Sequence, residues 1–582
     1  MINGKTLSLS NKYEDFSNYE NVVLVDDIFY LKKIEKLKKI RIIKNQARDR
    51  KHINSVYSYC EKIYSELLQD ISIQLNILHG LKNNQRYWEI LVGNWLIDFI
   101  LVCHKSFFNI HKRVLKNNKY SKCIILKTKN HTLHTLNTIE AANATINREW
   151  NFALNSKIVE FLSPKIKFIY KSKKFKNFRM RFNNFESNNF DKIKKLKLIN
   201  NLVKNKEIFI YKTSLSFLEE KKLEIKLGQI PTYWETKEPI HAKFSNKIRK
   251  KIKLDCSKKD KKDKFNRFLR KEIPSALPIF LIESFKKNLN LSKKLDYPDN
   301  PKKIFTCVAY QGDELFKIYL AEKIKNKTQY FCGQHGNNYF TAYQSRISLD
   351  VKTSDKFLSW GYKNSKKGII PVSNIKCIGK INKKKLFDPK GKLLILFDDV
   401  GLNRSPIERN DLDYKKLAST FSIINDFNTK LKKNSILRIR KSHLNEFNSF
   451  YFKKFFENIP YKLDIHKSNI RDLQSISRLN YFNYYSTGML ENFVLNIPTV
   501  CFLDKDLEFH NTFLQKKLKY LEEAKIVFYD KKKFIKHVIN IWNDVNFWWK
   551  SKKTQNLIKK FNANFNLSNN SVDNLVRILK ND

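Results

Sequence analysis

The sequence predicts an α/β fold with two Rossmann-like lobes, an additional helical N-terminal region and C-terminal helices. Three observations lead to this prediction. The 582 residues are too many for one hydrophobic core. Apolar residues make up 42% of them, which is enough for packed interiors. From about residue 303 onward, short apolar runs alternate with stretches of helical spacing, the pattern of parallel, doubly wound sheets.

Composition shifts divide the chain into four parts. A lysine-rich break at 380–390, in which Pro389 is followed shortly by Gly391, is the best candidate linker between the lobes. The predicted parts are a helical N-terminal region at 1–80, a first Rossmann-like lobe at 81–385 with a basic insertion near 166–272, a second Rossmann-like lobe at 386–545, and a helical tail at 546–582.

The first lobe begins with one strongly apolar helix. Residues 87–100 are almost all apolar, which predicts a helix buried on every side. The most membrane-like run, 90–102, contains an aspartate and is too short to span a bilayer. Apolar runs at 123–126 and 208–211 are candidate strands.

The pattern becomes clearer after residue 275. Residues 303–309, 313–325 and 328–332 predict a strand, a helix and a second strand, which form one right-handed βαβ unit. Further strands are predicted at 355–361 and 375–379, the last of which would close the first lobe.

The second lobe repeats the alternation of strands and helices. Its first strand ends in two acids, Asp398 and Asp399. The elements are predicted as strand, helix, strand, strand, helix and strand at 392–397, 414–432, 435–440, 481–485, 486–495 and 498–502.

The chain is strongly basic. Lys and Arg total 113 against 56 Asp and Glu, a formal net charge of +57. Such a surface attracts nucleic acid, anionic lipid headgroups or phosphate-bearing ligands. AT-rich coding sequence is an alternative source of the excess, because the lysines are mixed with Asn, Ile and Phe along the whole chain. The densest run, within 244–272, is either a solvated basic helix or a surface that touches lipid or nucleic acid.

The cysteines and the amino terminus point to the cytoplasm. The eight cysteines are widely spaced without a C-x-x-C pair, which argues against a zinc cluster or a disulfide framework. The first five residues lack the pattern of a signal peptide. We expect a cytoplasmic protein, with a peripheral position on the inner face of the inner membrane as an option.

A histidine follows the strand predicted at 328–332. Gln334, His335, Gly336 and Asn337 form a polar loop at a carboxyl strand end, where α/β proteins bind ligands. A histidine there can act as a general base. The alternative is a turn with a solvated histidine.

A second polar turn lies in the second lobe. Ser486, Thr487 and Gly488 open a predicted helix, whose amides and hydroxyls suit a phosphate. The alternative is an ordinary N-cap with Glu491 in a capping-box-like position. Arg438 and Arg440 leave a strand of the same lobe on one face, either to grip an anion or to form salt bridges. Asp398 and Asp399 are weaker candidates for metal ligands.

Five motifs in this order resemble one protein family. They are the tryptophan-rich helix at 87–99, the G-Q-H-G-N-N-Y loop at 333–339, the S-D-K-F-L-S-W-G segment at 354–361, the strand–helix–strand at 486–500 and the W-N-D-V and W-W signature at 541–549. They are similar to the surface-polysaccharide transferases of bacteria, which are encoded among O-antigen and capsule genes and are GT-B-like. Asn337 departs from the family's second glycine, and Asp350 stands where an acid of the family, usually Glu, is expected.

The resemblance implies a metal-independent glycosyltransferase without a bound cofactor. Its expected partners are a nucleotide sugar and a polysaccharide or lipid-linked acceptor, with an anionic membrane surface as an option and no specific nucleic acid. It implies His335 as the catalytic residue. The first lobe would hold the acceptor and the second lobe the donor. Gln334, Gly336, Asn337 and Asp350 are expected to bind the substrate, and Arg438, Ser486, Thr487, Gly488 and Glu491 are expected to bind the donor phosphates. The alternatives are a polyol-phosphate transferase with a CDP-linked donor and a non-enzymatic nucleic-acid-binding protein.

Overall fold

The structure is a computed structural model of the whole chain. The described residues are 5–9, 13–16, 18–19, 22–24, 41–42, 50–111, 120–127, 133–145, 147–162, 165–171, 205–256, 262–381, 386–397, 412–438, 461–464, 467–505 and 510–581. They form a mixed α/β protein with parallel sheets, which confirms the predicted fold class.

An N-terminal sheet of five parallel strands has the order β3-β2-β1-β4-β5. Its strands are β1 (Lys5–Ser8), β2 (Val22–Leu24), β3 (Arg41–Ile42), β4 (Tyr120–Leu126) and β5 (Lys167–Lys171). Its helices are α1 (Tyr13–Phe16), α2 (Arg50–His79), α3 (Gln85–Asn109), α4 (Thr138–Ala144) and α5 (Arg148–Leu162).

A central sheet of five parallel strands has the order β10-β9-β8-β7-β6. Its strands are β6 (Ile208–Ile210), β7 (Lys303–Thr306), β8 (Gln329–Gly333), β9 (Lys356–Ser359) and β10 (Ile369–Pro371). Its helices are α6 (Phe217–Lys226), α7 (Asn246–Arg249), α8 (Lys264–Ala276), α9 (Phe285–Ser292), α10 (Ala309–Gly312), α11 (Glu314–Lys325) and α12 (Leu349–Thr353). Short 3₁₀ turns lie at Ile279–Leu281, Tyr343–Ile347, Ser365–Lys367 and Ile375–Cys377.

A C-terminal sheet of six parallel strands has the order β13-β12-β11-β14-β15-β16. Its strands are β11 (Lys392–Leu396), β12 (Ser435–Arg438), β13 (Lys462–Asp464), β14 (Ser477–Phe482), β15 (Thr499–Phe502) and β16 (Val527–Phe528). Its helices are α13 (Leu412–Asn425), α14 (Thr429–Lys433), α15 (Ile470–Ser475), α16 (Thr487–Val494), α17 (Thr512–Glu523), α18 (Lys531–Ile541) and α19 (Val545–Trp549). Numbered from β11, this is the 3-2-1-4-5-6 order of the Rossmann fold, whose switch point lies between β11 and β14.

The first two sheets share one large core. It joins α2 and α3 to strands of both sheets, with Trp88 and Tyr330 fully buried in it. Helix α3 is the one described helix that is long and apolar enough to cross a membrane, but 78% of its most apolar window is buried inside the protein. In this structure α3 is therefore a core helix, as its composition predicts.

The last two helices of the chain pack against two different lobes. Helix α20 (Lys552–Phe565) packs with the C-terminal sheet, whereas α21 (Asp573–Asn581) packs on the outer face of the central sheet. Between them the Leu567 amide donates to the Trp360 carbonyl, and Gly361 meets the end of α20 with a φ of 139°. Glycine suits this position because other residues rarely adopt such a φ, and because an added Cβ would lie a tight 3.1 Å from the Asn564 carbonyl carbon.

Three predictions differ from the structure. The N-terminal region, predicted as helical, contains α2 but also contributes β1, β2 and β3 to a sheet of its own. The strand predicted at 123–126 accordingly pairs with β1 and not with the central sheet. The strand predicted at 375–379 is a 3₁₀ turn, and β10 closes the central sheet instead. Residues 172–204 and 257–261 of the basic insertion, and the linker residues 382–385, lie outside the described residues.

Candidate active site between the central and C-terminal sheets

The histidine loop begins at the carboxyl end of β8, in the middle of the central sheet. Gly333 ends the strand in tight packing, because an added Cβ would lie 2.5 Å from Cys307 Sγ. The buried Gln334 then fixes the loop. Its Oε1 accepts from the Trp360 amide at 2.9 Å, and its Nε2 donates to the Gly336 carbonyl at 2.7 Å. Its side-chain amide thus holds the backbone and is not directed at a substrate.

His335 is linked to a buried carboxylate. Its Nδ1 lies 2.8 Å from the Tyr339 hydroxyl and 3.7 Å from Asp350 Oδ2. The Tyr339 hydroxyl donates to Asp350, and Gln311 Nε2 donates to both Asp350 oxygens at 2.9 and 2.8 Å. Since Tyr339 has one hydroxyl proton, the tautomer that satisfies these groups has Nδ1–H donating to the Tyr339 oxygen. This arrangement leaves the lone pair of a neutral ring on Nε2.

The surroundings keep the imidazole neutral. Burial lowers the pKa of His335 below 6.5, while the Asp350 carboxylate opposes this shift. The Lys376 charge lowers the pKa further, and the Cys307 carbonyl raises it. The His335 side chain keeps 28% of its surface exposed, so a ligand can reach it. A neutral, reachable imidazole is suited to accept a proton.

Positive charge surrounds the junction between the two sheets. Lys376 lies in the 3₁₀ turn that follows the central sheet, and no described residue forms an ion pair with its ammonium group. Lys380 Nζ donates to the Lys376 carbonyl at 2.5 Å. Nearby, Arg471 pairs with Glu491 at 2.5 Å. Three cations with one carboxylate favour an anionic ligand here.

The second polar turn lies at the switch point of the C-terminal sheet. Ser486 is the N-cap of α16, and its Oγ accepts from the Met489 amide at 3.0 Å. Ser486 is only 3% exposed. In the described part of the chain, the Thr487 and Gly488 amides have no hydrogen-bond acceptor. The turn therefore presents two open amides and the positive end of a helix.

The histidine loop and this turn touch each other. The Asn337 amide donates to Thr487 Oγ1 at 3.1 Å, and Thr487 Oγ1 lies 3.2 Å from Asn337 Oδ1. Asn337 Nδ2 donates to the Tyr485 carbonyl at 2.7 Å. A little further on, the Asn511 amide donates to the Thr341 carbonyl at 2.9 Å. The loop after His335 thus connects the two lobes, and the lining of the gap includes Gln334, Asn337, Tyr339, Tyr362, Tyr485 and Phe565.

The structure brings most of the predicted residues to this junction. Gln334, His335, Gly336, Asn337 and Asp350 lie together, and Gly336 is close to Thr487, since an added Cβ would lie 3.6 Å from Thr487 Oγ1. Asn337 needs no left-handed backbone, so its departure from glycine costs no strain.

Several predicted phosphate ligands have protein partners. Arg438 donates to Asp464 Oδ2 at 3.2 Å and to the Ser468 carbonyl at 2.8 Å, as the salt-bridge alternative predicts. Glu491 pairs with Arg471, and among the described residues no hydrogen bond joins the Ser486 amide to the Glu491 carboxylate. Arg440, Asp398 and Asp399 lie outside the described residues.

The sequence did not single out three residues at the site. Tyr339 was part of the motif, and its position four residues after His335 is the only local signal of their contact. Gln311 and Lys376 come from other segments, so no local pattern could place them beside Asp350 and His335.

Comparisons with known proteins locate the chain among transferases. No curated protein sequence matches it significantly. Among solved structures, a spinosyn rhamnosyltransferase matches with 11% identity, covering 51% of this chain and 77% of that one at a TM-score of 0.31. A UDP-N-acetylglucosamine 2-epimerase from Neisseria meningitidis, bound to its nucleotide sugar, matches with 12% identity, covering 64% and 99% at 0.35. A similarly named protein from Listeria monocytogenes matches with 13% identity, covering 64% of this chain and 95% of that one at a TM-score of 0.37.

These structural similarities are too low to assign a reaction or a substrate to this chain. A family model is more informative, because it covers nearly the whole sequence. The model described as LIC12162 family transferase matches residues 5–579. The chain therefore belongs to the LIC12162 family of transferases.

Proposed function

We propose that this transferase is a glycosyltransferase that moves a sugar from a nucleotide-activated donor to a hydroxyl of a surface-polysaccharide precursor. The observation that carries the proposal is the neutral imidazole of His335, held by Tyr339 and Asp350, opposite the open helix end at Thr487. One lobe thereby offers a base, and the other offers an anion site at a switch point.

In the proposed reaction, His335 Nε2 takes the proton from the acceptor hydroxyl. The hydroxyl oxygen forms a new bond to the anomeric carbon of the donor. The bond from that carbon to the phosphate oxygen breaks, and the nucleoside diphosphate leaves with the electron pair. Tyr339 and Asp350 stabilise the resulting imidazolium, because Asp350 Oδ2 lies 3.7 Å from Nδ1.

The leaving diphosphate needs compensating charge. We assign this role to the open amides of Thr487 and Gly488 and to Lys376, with Ser486 shaping the helix start. Arg438 is expected to stabilise the sheet edge through Asp464. Cationic side chains and a helix end are sufficient for this task, so metal independence stays part of the proposal.

The central experiment is turnover of His335→Ala. Once thermal-shift screening against CMP-, UDP-, GDP- and CDP-linked ligands has identified the donor, we expect the variant to lose at least about a hundredfold in turnover, the usual scale of acid–base catalysis. Its melting temperature should match that of the wild type, because the side chain is partly exposed. Wild-type turnover in a folded variant would remove His335 from the mechanism.

Lys376→Gln provides a matched test of the anion site. We expect weaker donor binding, because Lys376 supplies charge to the anion site. The acid limb of the pH profile should also move to higher pH, because the Lys376 charge lowers the pKa of His335. Product mass then identifies the reaction. A glycosyl increment supports the proposal, whereas a phosphodiester increment would establish a polyol-phosphate transferase instead.

A further inference from the structure

A basic segment lies on the surface far along the chain from the active site. Between residues 243 and 253 the structure exposes Lys243, Lys247, Lys250, Lys251 and Lys253. Among the described residues, none of these five lysines forms an ion pair. Some other surface lysines are paired, as Lys222 is with Glu219 at 2.7 Å. The segment is therefore a concentrated and uncompensated positive charge.

The backbone of this segment is firmly anchored. Arg249 is 3% exposed, and its guanidinium forms two hydrogen bonds with Glu283, at 2.7 and 2.8 Å. The same group donates to the Leu277 carbonyl at 2.7 Å. Beyond it, Ile252 and Leu254 are buried, so the intervening lysines alternate outward. The lysines are thus displayed by a fixed backbone and not by a loose tail.

Exposed isoleucines lie beside these lysines. The Lys253 amide donates to Gln74 Oε1 at 3.0 Å, which attaches the segment to helix α2. On either side of Gln74, Ile73 is 49% exposed and Ile77 is 69% exposed. The two isoleucines are one helical turn apart and therefore share a face. Helix α2 buries one face in the core, and its outer face exposes these aliphatic side chains where the basic segment crosses it.

We propose that this surface, formed by Ile73, Ile77, Lys250, Lys251 and Lys253, docks the protein on an anionic lipid bilayer. Lysines near a membrane are attracted by the negative surface potential, and adjacent aliphatic side chains enter the interfacial region. The net charge of +57 acts in the same direction. The inference does not rest on the proposed reaction.

The composition of the surface favours lipid over nucleic acid. Nucleic-acid sites combine basic side chains with exposed aromatic platforms or with arginines that reach bases. Here the single arginine of the segment, Arg249, is buried in a salt bridge, and the exposed neighbours are aliphatic. Aliphatic exposure is unfavourable in water and gains free energy in a lipid interface.

Sedimentation with lipid vesicles tests the proposal on the full chain. Wild type should bind phosphatidylcholine vesicles that contain phosphatidylglycerol and should not bind vesicles of phosphatidylcholine alone. The triple variant K250Q/K251Q/K253Q should bind about a hundredfold more weakly, since each lysine near the surface contributes about fivefold. The control K532Q/K533Q/K536Q removes the same charge from exposed positions on α18 and should bind within a few-fold of wild type.

A second variant separates lipid from other polyanions. I73T/I77T should weaken vesicle binding without reducing its dependence on salt, because no charge is removed. All substituted side chains are exposed, so circular dichroism and the melting temperature should not change. The proposal is overturned if wild type ignores the anionic vesicles at low salt, or if the triple variant binds them as the control does. It is also overturned if the lysine variant loses binding to duplex DNA but keeps vesicle binding.

Discussion

Asn337→Ala should loosen the contact between the two lobes. The substitution removes the hydrogen bond from Nδ2 to the Tyr485 carbonyl at 2.7 Å and the one from Thr487 Oγ1 to Oδ1 at 3.2 Å. It leaves the backbone hydrogen bond from residue 337 to Thr487 in place. Each lost bond contributes about 1 kcal/mol net, or about 2 kcal/mol together. Lobe separation should therefore become about thirtyfold more favourable, because 1.4 kcal/mol is tenfold.

Hydrogen exchange measured by mass spectrometry reports this opening. The amides of Asn337 and Asn511 both donate across the lobes, so they exchange when the lobes separate. In the variant, peptides that carry these two amides should exchange about thirtyfold faster, whereas the buried strand β11 should exchange as in wild type.

Asn364→Ala is the matched control. Asn364 is partly buried in the central lobe, and its side chain forms no hydrogen bond with any described residue. This control should exchange as wild type does. The reasoning fails if Asn337→Ala leaves both inter-lobe amides unchanged. Equal acceleration of β11 would instead indicate global destabilisation.

Two further substitutions test the histidine and the strand that carries it. Asp350→Asn removes the carboxylate that raises the pKa of His335, so this pKa should fall further. Because the base works when neutral, the acid limb of the pH profile of kcat/KM should move to lower pH. An unmoved limb would mean that another group titrates. Gly333→Ala places a Cβ 2.5 Å from Cys307 Sγ and should destabilise the fold by about 1–3 kcal/mol in urea unfolding. Gly336→Ala meets its nearest neighbour at an ordinary 3.6 Å and should unfold like wild type, so equal losses in the two would refute the packing argument.

The sequence was sufficient to predict those strands that short apolar runs mark locally. The βαβ unit predicted from residue 303 appears as β7, α11 and β8, with Asp313 as the N-cap of the helix. In contrast, the strand predicted at 375–379 is a 3₁₀ turn in which Ile375 and Cys377 are fully buried. The prediction failed because a short apolar run does not distinguish a buried strand from a buried turn. The helix predicted at 414–432 is broken near Phe427, which is buried, and Asn428 caps a new helix.

The site was predictable in outline because its loops follow strand ends, but the partners of each side chain were not. The sequence indicates that Ser486 begins a helix, and only the structure shows its hydroxyl engaged with Met489. Likewise Glu491 lies beyond the capping-box position, which Met489 occupies, and it pairs with Arg471 from another helix. Such choices depend on residues distant in sequence, which a single chain without its fold does not specify.

Phe340 links the geometry of the histidine loop to the contact between the lobes. Its φ of 61° is left-handed, which costs a non-glycine residue about 1–2 kcal/mol. Two contacts compensate for this cost. The Phe340 ring stacks on Tyr362 of the central lobe at 4.2 Å, and its carbonyl accepts from Asn511 Nδ2 of the C-terminal lobe at 2.8 Å. Because one of these contacts crosses to the other lobe, the strained loop and the closed arrangement stabilise each other. The position of His335 therefore depends on the C-terminal lobe as well as on the strand that carries it.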